Sequence, residues 1–382
     1  MGFHEFSSPY DWSRIAAYKR TAKAAFGGMI DLSVGSPVDP VPDSVRKALA
    51  VAANDPNAYG YPATAGTADL RAAIAEWFSA ARNVDLQAIH ADVVPTVGSK
   101  EGVALMASLL HFGEDDVVVQ PKVSYPTYEI GTQLAGAQVL KVDDVADVAS
   151  WCNVPGVKAV WVNSPCNPTG EVYSAERMAG IVAAAREIGA VVLSDECYAL
   201  MQWRGATNSA DDDPLQSTPC ALRSDVCAGS AEGVLVLYSL SKQSNMAGYR
   251  TAFIAGDESL IASMSAYRKQ IGQIIPGPVQ AAMAAGLRDL ESVKVQHARY
   301  RERLGVLVSA LRAYGYCTDM PDGALYVWVR AKSGDCWTDM EQLAKIGIIA
   351  SPGEFYGAPE CLRFSATASD EAIASAAERL AR

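Results

Sequence analysis

Short β-branched runs alternate with alanine-rich stretches of helical spacing through most of this chain, and that alternation limits the fold more than any other feature. The runs are Val93–Val97, Asp116–Gln120, Gln138–Val142, Ala159–Asn163, Val191–Ser194, Val234–Ser239 and Thr251–Ala255. Between them, helices are expected over Thr67–Ala80, Lys100–Leu110, Tyr128–Ala135 and Ala175–Ile188. Apolar strands joined by helical crossovers need an α/β fold, with a mostly parallel sheet covered by helices on both faces. Leu70, Ile74, Trp77 and Phe78 recur at helical spacing and read as a core-facing stripe.

After Ile275 the texture changes. The break Ile274-Ile275-Pro276-Gly277-Pro278 leads into one long charged helical stretch, Val279–Tyr314. A strand (Leu325–Val329), a helix (Thr338–Ile346), a strand (Leu362–Ser365) and a terminal helix (Asp370–Leu380) follow, a smaller α+β unit. The expected organisation is an N-terminal segment (1–45) joining the small domain, a large domain (46–275) and a small C-terminal domain (276–382). The Asp-, Ser- and Pro-rich stretch 206–230 reads as a long surface loop.

A net charge of −11 and a pI near 4.9 argue against a general binder of nucleic acid or anionic membrane, which needs a basic face. No stretch reads as membrane-spanning, and Met1–Trp12 lacks the order of a secretory signal. The eight cysteines are scattered without a Cys-x-x-Cys pair, which fits reduced thiols in the cytoplasm better than a disulfide framework or a zinc site. The four histidines stand apart from one another and offer no catalytic cluster.

Chemistry concentrates where strands end. Tyr238-Ser239-Leu240-Ser241-Lys242 closes an apolar strand, and burial there disfavours a charged lysine. Alone, Lys242 reads as a strand-end lysine reaching for solvent. Its neighbours change that reading: Ser239 and Ser241 add hydroxyls, and Arg250 supplies a fixed cation for a dianionic phosphate. An amine beside a phosphate clamp is what pyridoxal 5′-phosphate (PLP) requires. Asp195, at the end of the Val191–Ser194 run, could keep a pyridine nitrogen protonated, although a lone aspartate there more often caps a helix or forms a turn. Tyr198 follows three residues later, within reach of a ring hydroxyl. Asn167 sits in the rigid turn Asn163-Ser164-Pro165-Cys166-Asn167-Pro168-Thr169-Gly170. Gly98-Ser99-Lys100-Glu101-Gly102 offers backbone N–H groups at a helix start, an anion site without Walker spacing. Tyr125, in Ser124-Tyr125-Pro126-Thr127-Tyr128, offers a ring to stack on a cofactor face.

Together these features resemble the fold-type I, class I/II PLP-dependent aminotransferase family, in its order and over nearly the whole chain. Ser-Leu-Ser-Lys-x₇-Arg, Asn-Pro-Thr-Gly and Asp-x-x-Tyr are jointly specific; Thr251, after Arg250, departs from the family's usual apolar residue. The resemblance implies that Lys242 holds PLP as an imine, Asp195 pairs with the pyridine nitrogen, and Tyr198 and Asn167 hold the ring hydroxyl. It implies Tyr125 stacked on the ring, and a phosphate held by Ser99, Lys100 (through its backbone), Ser239 and Arg250. Tyr59 matches a tyrosine that reaches the neighbouring subunit's phosphate, so a homodimer with shared sites is implied. Arg363 matches the arginine that grips the substrate carboxylate, with Asn167 beside it and Gly35 adding a backbone contact. No metal is implied.

Two stretches, Asp31–Pro40 and Tyr59–Thr67, look like the actinobacterial succinyldiaminopimelate aminotransferases of lysine (diaminopimelate) biosynthesis, as do Ser194–Tyr198 and Met246–Arg250. That resemblance implies glutamate as donor and N-succinyl-2-amino-6-oxopimelate as acceptor. The residues themselves leave open an aspartate, aromatic or kynurenine aminotransferase, or a PLP-dependent C–S lyase. A non-catalytic PLP-binding regulator would want a basic helix-turn-helix segment, and none precedes Asp31. Tyr10, Tyr18, Lys19, Lys122 and Tyr326 are all conceivable linings for the distal end of the substrate.

Overall fold

The computed structural model describes residues 11–56, 58–203 and 218–382. The chain enters through α1 (Ile15–Ala24), β1 (Ile30–Asp31), α2 (Asp43–Ala52) and α3 (Ala68–Arg82). Seven strands then form one sheet: β2 (Ala91–Val97), β3 (Val117–Pro121), β4 (Gln138–Val142), β5 (Val157–Asn163), β6 (Val191–Asp195), β7 (Val234–Ser239) and β8 (Thr251–Asp257). Their order is β2-β8-β7-β6-β5-β3-β4. Every neighbouring pair is parallel except those of β8, which runs antiparallel to β2 and β7. A parallel return needs a long crossover. The β7–β8 connection has no room for one, since residues 240–250 form only the short α8 (Leu240–Gln243) and a single 3₁₀ turn.

Both sheet faces are buried, as the near-continuous apolar strands require. Val93, Val119, Val160, Val192, Val236 and Phe253 point into one core with α3 and α6 (Ala175–Glu187). Val94, Val118, Trp161, Leu193, Leu237 and Ile254 point the other way, against α4 (Ser99–Leu109) and α9 (Glu258–Gln270). Between β3 and β4 runs α5 (Thr127–Leu134).

The stretch expected as one long helix is two. Asp289 ends α10 (Gly277–Arg288) and caps α11 (Leu290–Ala313), accepting from the Ser292 N–H at 3.1 Å. Ala282, Met283, Leu287 and Val293 pack in the core of the large sheet, whereas Tyr300, Leu304, Leu307 and Leu311 enter a separate core. That second core surrounds an antiparallel sheet in the order β11 (Ser351–Pro352), β12 (Cys361–Ser365), β9 (Tyr326–Arg330). Packed in it are α1, α12 (Cys336–Lys345) and α13 (Asp370–Leu380). β1 pairs in parallel with β10 (Ile348–Ile349), and the Ser365 N–H donates to the Leu32 carbonyl at 2.8 Å. The chain from Leu32 to Gly35 is thereby held beside β12.

The expected surface loop over 206–230 needs correction in its second part; residues 206–217 lie outside the described ones. Thr218, Cys220, Ala221 and Leu222 are buried, and α7 (Ser224–Cys227) follows. The cause is a buried ion pair, Arg82 to Glu196 at 2.7 Å. Arg82 also donates to Thr218 Oγ1 at 2.7 Å and the Pro219 carbonyl at 3.0 Å, while Glu196 accepts from the Ala221 N–H at 2.8 Å. All eight cysteines are free. Among the described residues, no helix is long and apolar enough to cross a membrane.

Candidate active site

The carboxyl ends of β2, β3, β5, β6 and β7 lie on one edge of the sheet, and antiparallel β8 starts there. Ligands of open α/β sheets gather at such an edge. A cavity of about 420 Å³ opens there, lined by Gly35, Ser99, Lys100, Tyr125, Asn167, Asp195, Tyr198, Ser239, Lys242, Arg250 and Arg363. Every site residue expected from sequence is thus brought together except Tyr59, which lies 89% exposed.

Lys242 reaches the cavity from α8, and its Nζ donates to the Gly35 carbonyl. Burial pushes its pKa below that of an ordinary lysine, which favours the neutral, nucleophilic amine. Asp195 is the last residue of β6 and is buried. It accepts from Tyr128 Oη at 2.8 Å and from the Cys197 N–H at 3.1 Å. Burial raises its pKa, and these two hydrogen bonds only partly oppose that. Among the described residues, no Lys or Arg hydrogen-bonds this carboxylate. Tyr128 is itself fixed by stacking on Trp161, centroids 4.4 Å apart.

The turn after β5 is tied to Asp195. Asn163 Nδ2 donates to the Asp195 carbonyl at 2.9 Å, and Asn163 Oδ1 accepts from the Asn167 N–H at 2.8 Å. Asn167 Oδ1 accepts from Arg363 Nη1 at 2.7 Å, which leaves the Asn167 amide N–H₂ to donate elsewhere. Arg363 Nη2 donates to the Ser33 carbonyl at 2.8 Å, and its buried Nε has no partner among the described residues. Its guanidinium lies over the rings of Tyr326 and Tyr356, 4.0 and 4.7 Å from their centroids. A buried, held cation with an unused donor is suited to a carboxylate.

At the other end, Gly98 precedes α4 with φ +78°, and a Cβ there would run into the Arg250 guanidinium. Arg250 adopts φ +56°, a left-handed conformation rare outside glycine, and donates to the Ala247 carbonyl at 2.8 Å. The fold thus keeps a cation against the start of a helix, with Ser99, Ser239 and Ser241 around it. Ser239 Oγ bonds Ser241 Oγ at 2.8 Å and the Thr251 carbonyl at 3.2 Å.

These groups fit PLP. The helix start and Arg250 suit its phosphate, the cation-deficient Asp195 suits a protonated pyridine nitrogen, and Lys242 suits its aldehyde. The reading from sequence missed Trp12, Ser33, Asn163 and Tyr356 in the lining, and Tyr128 behind Asp195. Tyr128 stands one helical turn beyond Tyr125, a spacing that could have flagged it. Of the conceivable distal linings, Tyr326 reaches the cavity. Lys19 pairs with Asp31, Lys122 pairs with Asp143, and Tyr18 packs on Trp337. Tyr10 lies outside the described residues.

Fold and site together define a PLP enzyme. Residues 27–380 match the family described as aminotransferase class I and II. The 4-dedimethylamino-4-oxo-anhydrotetracycline transaminase OxyQ of Streptomyces rimosus is 40% identical over 97% of this chain and 98% of that protein. The probable aminotransferase Rv1178 of Mycobacterium tuberculosis is 39% identical over 97% of this chain and 84% of its own length. Among solved structures, a probable N-succinyldiaminopimelate aminotransferase from Thermus thermophilus superposes with a TM-score of 0.81 at 27% identity, covering 97% of this chain and 99% of that one. The chain belongs to the class I and II aminotransferase family, and its cofactor is PLP.

Proposed function

We propose that this enzyme exchanges an amino group between glutamate and N-succinyl-2-amino-6-oxopimelate, as a cytoplasmic homodimer. The observation that carries the reading is that Lys242, Asp195 and Arg363 face one cavity, an amine, an anion and a carboxylate grip. PLP, when bound, supplies an electron sink for the charge left at the substrate α-carbon.

The chain's own groups do the rest. Arg363 takes the α-carboxylate of donor and acceptor alike, assisted by Asn167 and the Gly35 backbone, and so serves both half-reactions. Nζ of Lys242 takes the proton from the α-carbon of glutamate and returns one to the α-carbon of the keto acid. Its lowered pKa keeps that amine ready to accept a proton. Asp195 faces the pyridine nitrogen, Tyr198 and Asn167 the ring hydroxyl, and Tyr125 the ring face. Ser99, the Lys100 N–H, Ser239 and Arg250 hold the phosphate, with Tyr59 arriving from the other subunit. We read the chain as two domains, with 1–45 joining the small one. The core memberships support placing the second boundary inside α11, after Val293, rather than at 275.

The acceptor rests on resemblance: the stretches Asp31–Pro40 and Tyr59–Thr67, and the Thermus thermophilus structure. Its 40% identity to OxyQ favours a second reading, in which the acceptor is a bulky cyclic ketone. A screen of keto acids and cyclic ketones, following their power to discharge the amine form of the cofactor, separates the two. Lys242→Ala should abolish turnover and the visible absorbance of PLP attached through that lysine; full activity in this variant would sink the reading.

A further inference from the structure

Tyr326 begins β9 and is 2% exposed, yet its hydroxyl is not buried among carbon atoms. It lies 2.6 Å from the Tyr198 hydroxyl. Arg363 is diagonal to it across the β9–β12 pair, where Ser365 is opposite Tyr326 and Arg363 is opposite Trp328. That register puts the Arg363 guanidinium 4.0 Å over the Tyr326 ring centroid. The third contact is Gly35, where a Cβ would strike the Tyr326 hydroxyl. One side chain of the small sheet thus touches the loop after β6, the carboxylate arginine and the N-terminal segment that meets Lys242.

We propose that Tyr326 is a positioning residue for transamination, its hydroxyl aiming Tyr198 at the cofactor ring and its face holding Arg363 for the substrate carboxylate. This rests on the roles assigned above to Tyr198 and Arg363. Proton counting gives the direction of the bond. Tyr198 has one O–H, and a Tyr198 that donates to the ring hydroxyl oxygen must accept from Tyr326. Accepting that bond makes Tyr198 the stronger donor and stabilises negative charge on the ring oxygen. A less stabilised ring oxygen would hold the neighbouring proton more tightly. The ring face acts separately, on the planar cation and not on the cofactor.

Two variants separate the effects in the PLP-loaded enzyme. Tyr326→Phe keeps the buried ring and removes only the hydroxyl. Its visible absorbance band should titrate with a midpoint raised by roughly half a pH unit, while KM for glutamate stays within about twofold. Tyr326→Leu removes the face as well, and KM for glutamate should rise roughly tenfold. A purely structural tyrosine would lower thermal stability and leave the titration midpoint alone. An unmoved midpoint in Y326F overturns the proposal, as does an unmoved KM in Y326L; Y326F decides the hydroxyl even where Y326L folds poorly. Lys242→Ala, measured alongside, tells this failure from failure of the parent reading. The parent reading fails when K242A keeps turnover and the absorbance band of lysine-attached PLP, whereas failure here leaves K242A inactive and without that band.

Discussion

Asp195 carries opposite demands from stability and from function. Its folded pKa is raised by burial, so its stabilising share is complete below the ordinary carboxylate value and is lost as pH rises through the folded value. Above that folded value the apoprotein must hold a buried, ionised carboxylate. Asp195→Asn removes that penalty, and its apoprotein should melt progressively above the parent as pH is taken from about 4 to 8. Turnover with PLP should fall on the order of a hundredfold or more, because the charge opposite the ring nitrogen is gone. A melting difference that stays constant across that pH range would show that ionisation at this site costs the fold nothing. Asp195 and Lys242 were legible in the sequence because each ends an apolar run beside other polar groups. Tyr326 could be named only as one conceivable lining among several, because an aromatic inside an apolar stretch is core by default, and its functional face comes from the register of β9 on β12. Tyr59 stands apart from the cavity of its own chain.

Elements place these residues, and two elements are held by features with no periodic signature. The start of α4 depends on Gly98, where both the positive φ and the Arg250 guanidinium exclude a side chain. Gly98→Ala should displace Arg250 and weaken PLP retention roughly tenfold, the scale of one charge-assisted contact, measured as the dissociation constant from absorbance on dialysis. The segment 218–222 depends on Arg82, which is fully buried against Glu196. Arg82→Met leaves Glu196 charged and unpaired, and unfolding by urea should show a loss of about 3 kcal/mol. A loss below about 1 kcal/mol would mean that water or a protonated Glu196 replaces the pair. The strand positions and most helices were readable from β-branched runs and alanine-rich spacing. The interruption at Asp289 was not, because Leu287-Arg288-Asp289-Leu290-Glu291 carries neither Gly nor Pro, and the cap is a local hydrogen bond. Composition likewise made 218–230 look like surface, since a buried Arg–Glu pair is invisible until the two residues, far apart in sequence, are folded together.

At the scale of the whole molecule, the unsettled residue is Tyr59. It lies 89% exposed beside a fully exposed Tyr61, and two large aromatics on a free surface are suited to a partner. Our reading gives that partner as a second copy, with Tyr59 of one subunit completing the phosphate site of the other. Hybrid dimers make the geometry testable. A Lys242→Ala subunit has an intact Tyr59 but no amine, and a Tyr59→Phe subunit has the amine but an impaired tyrosine. Where Tyr59 acts across the interface, the hybrid contains one site with a native lysine and a native tyrosine, and one site with neither. Mixing and reassociating the two inactive or weakened variants should then yield more activity than the sum of the separate preparations, and weaker PLP retention in Y59F alone should be repaired in that one site. Where Tyr59 acts only within its own chain, each hybrid site keeps one defect and mixing adds nothing. Light scattering on the same samples fixes the mass of the species, so an absent gain in a confirmed dimer places Tyr59 outside the shared site.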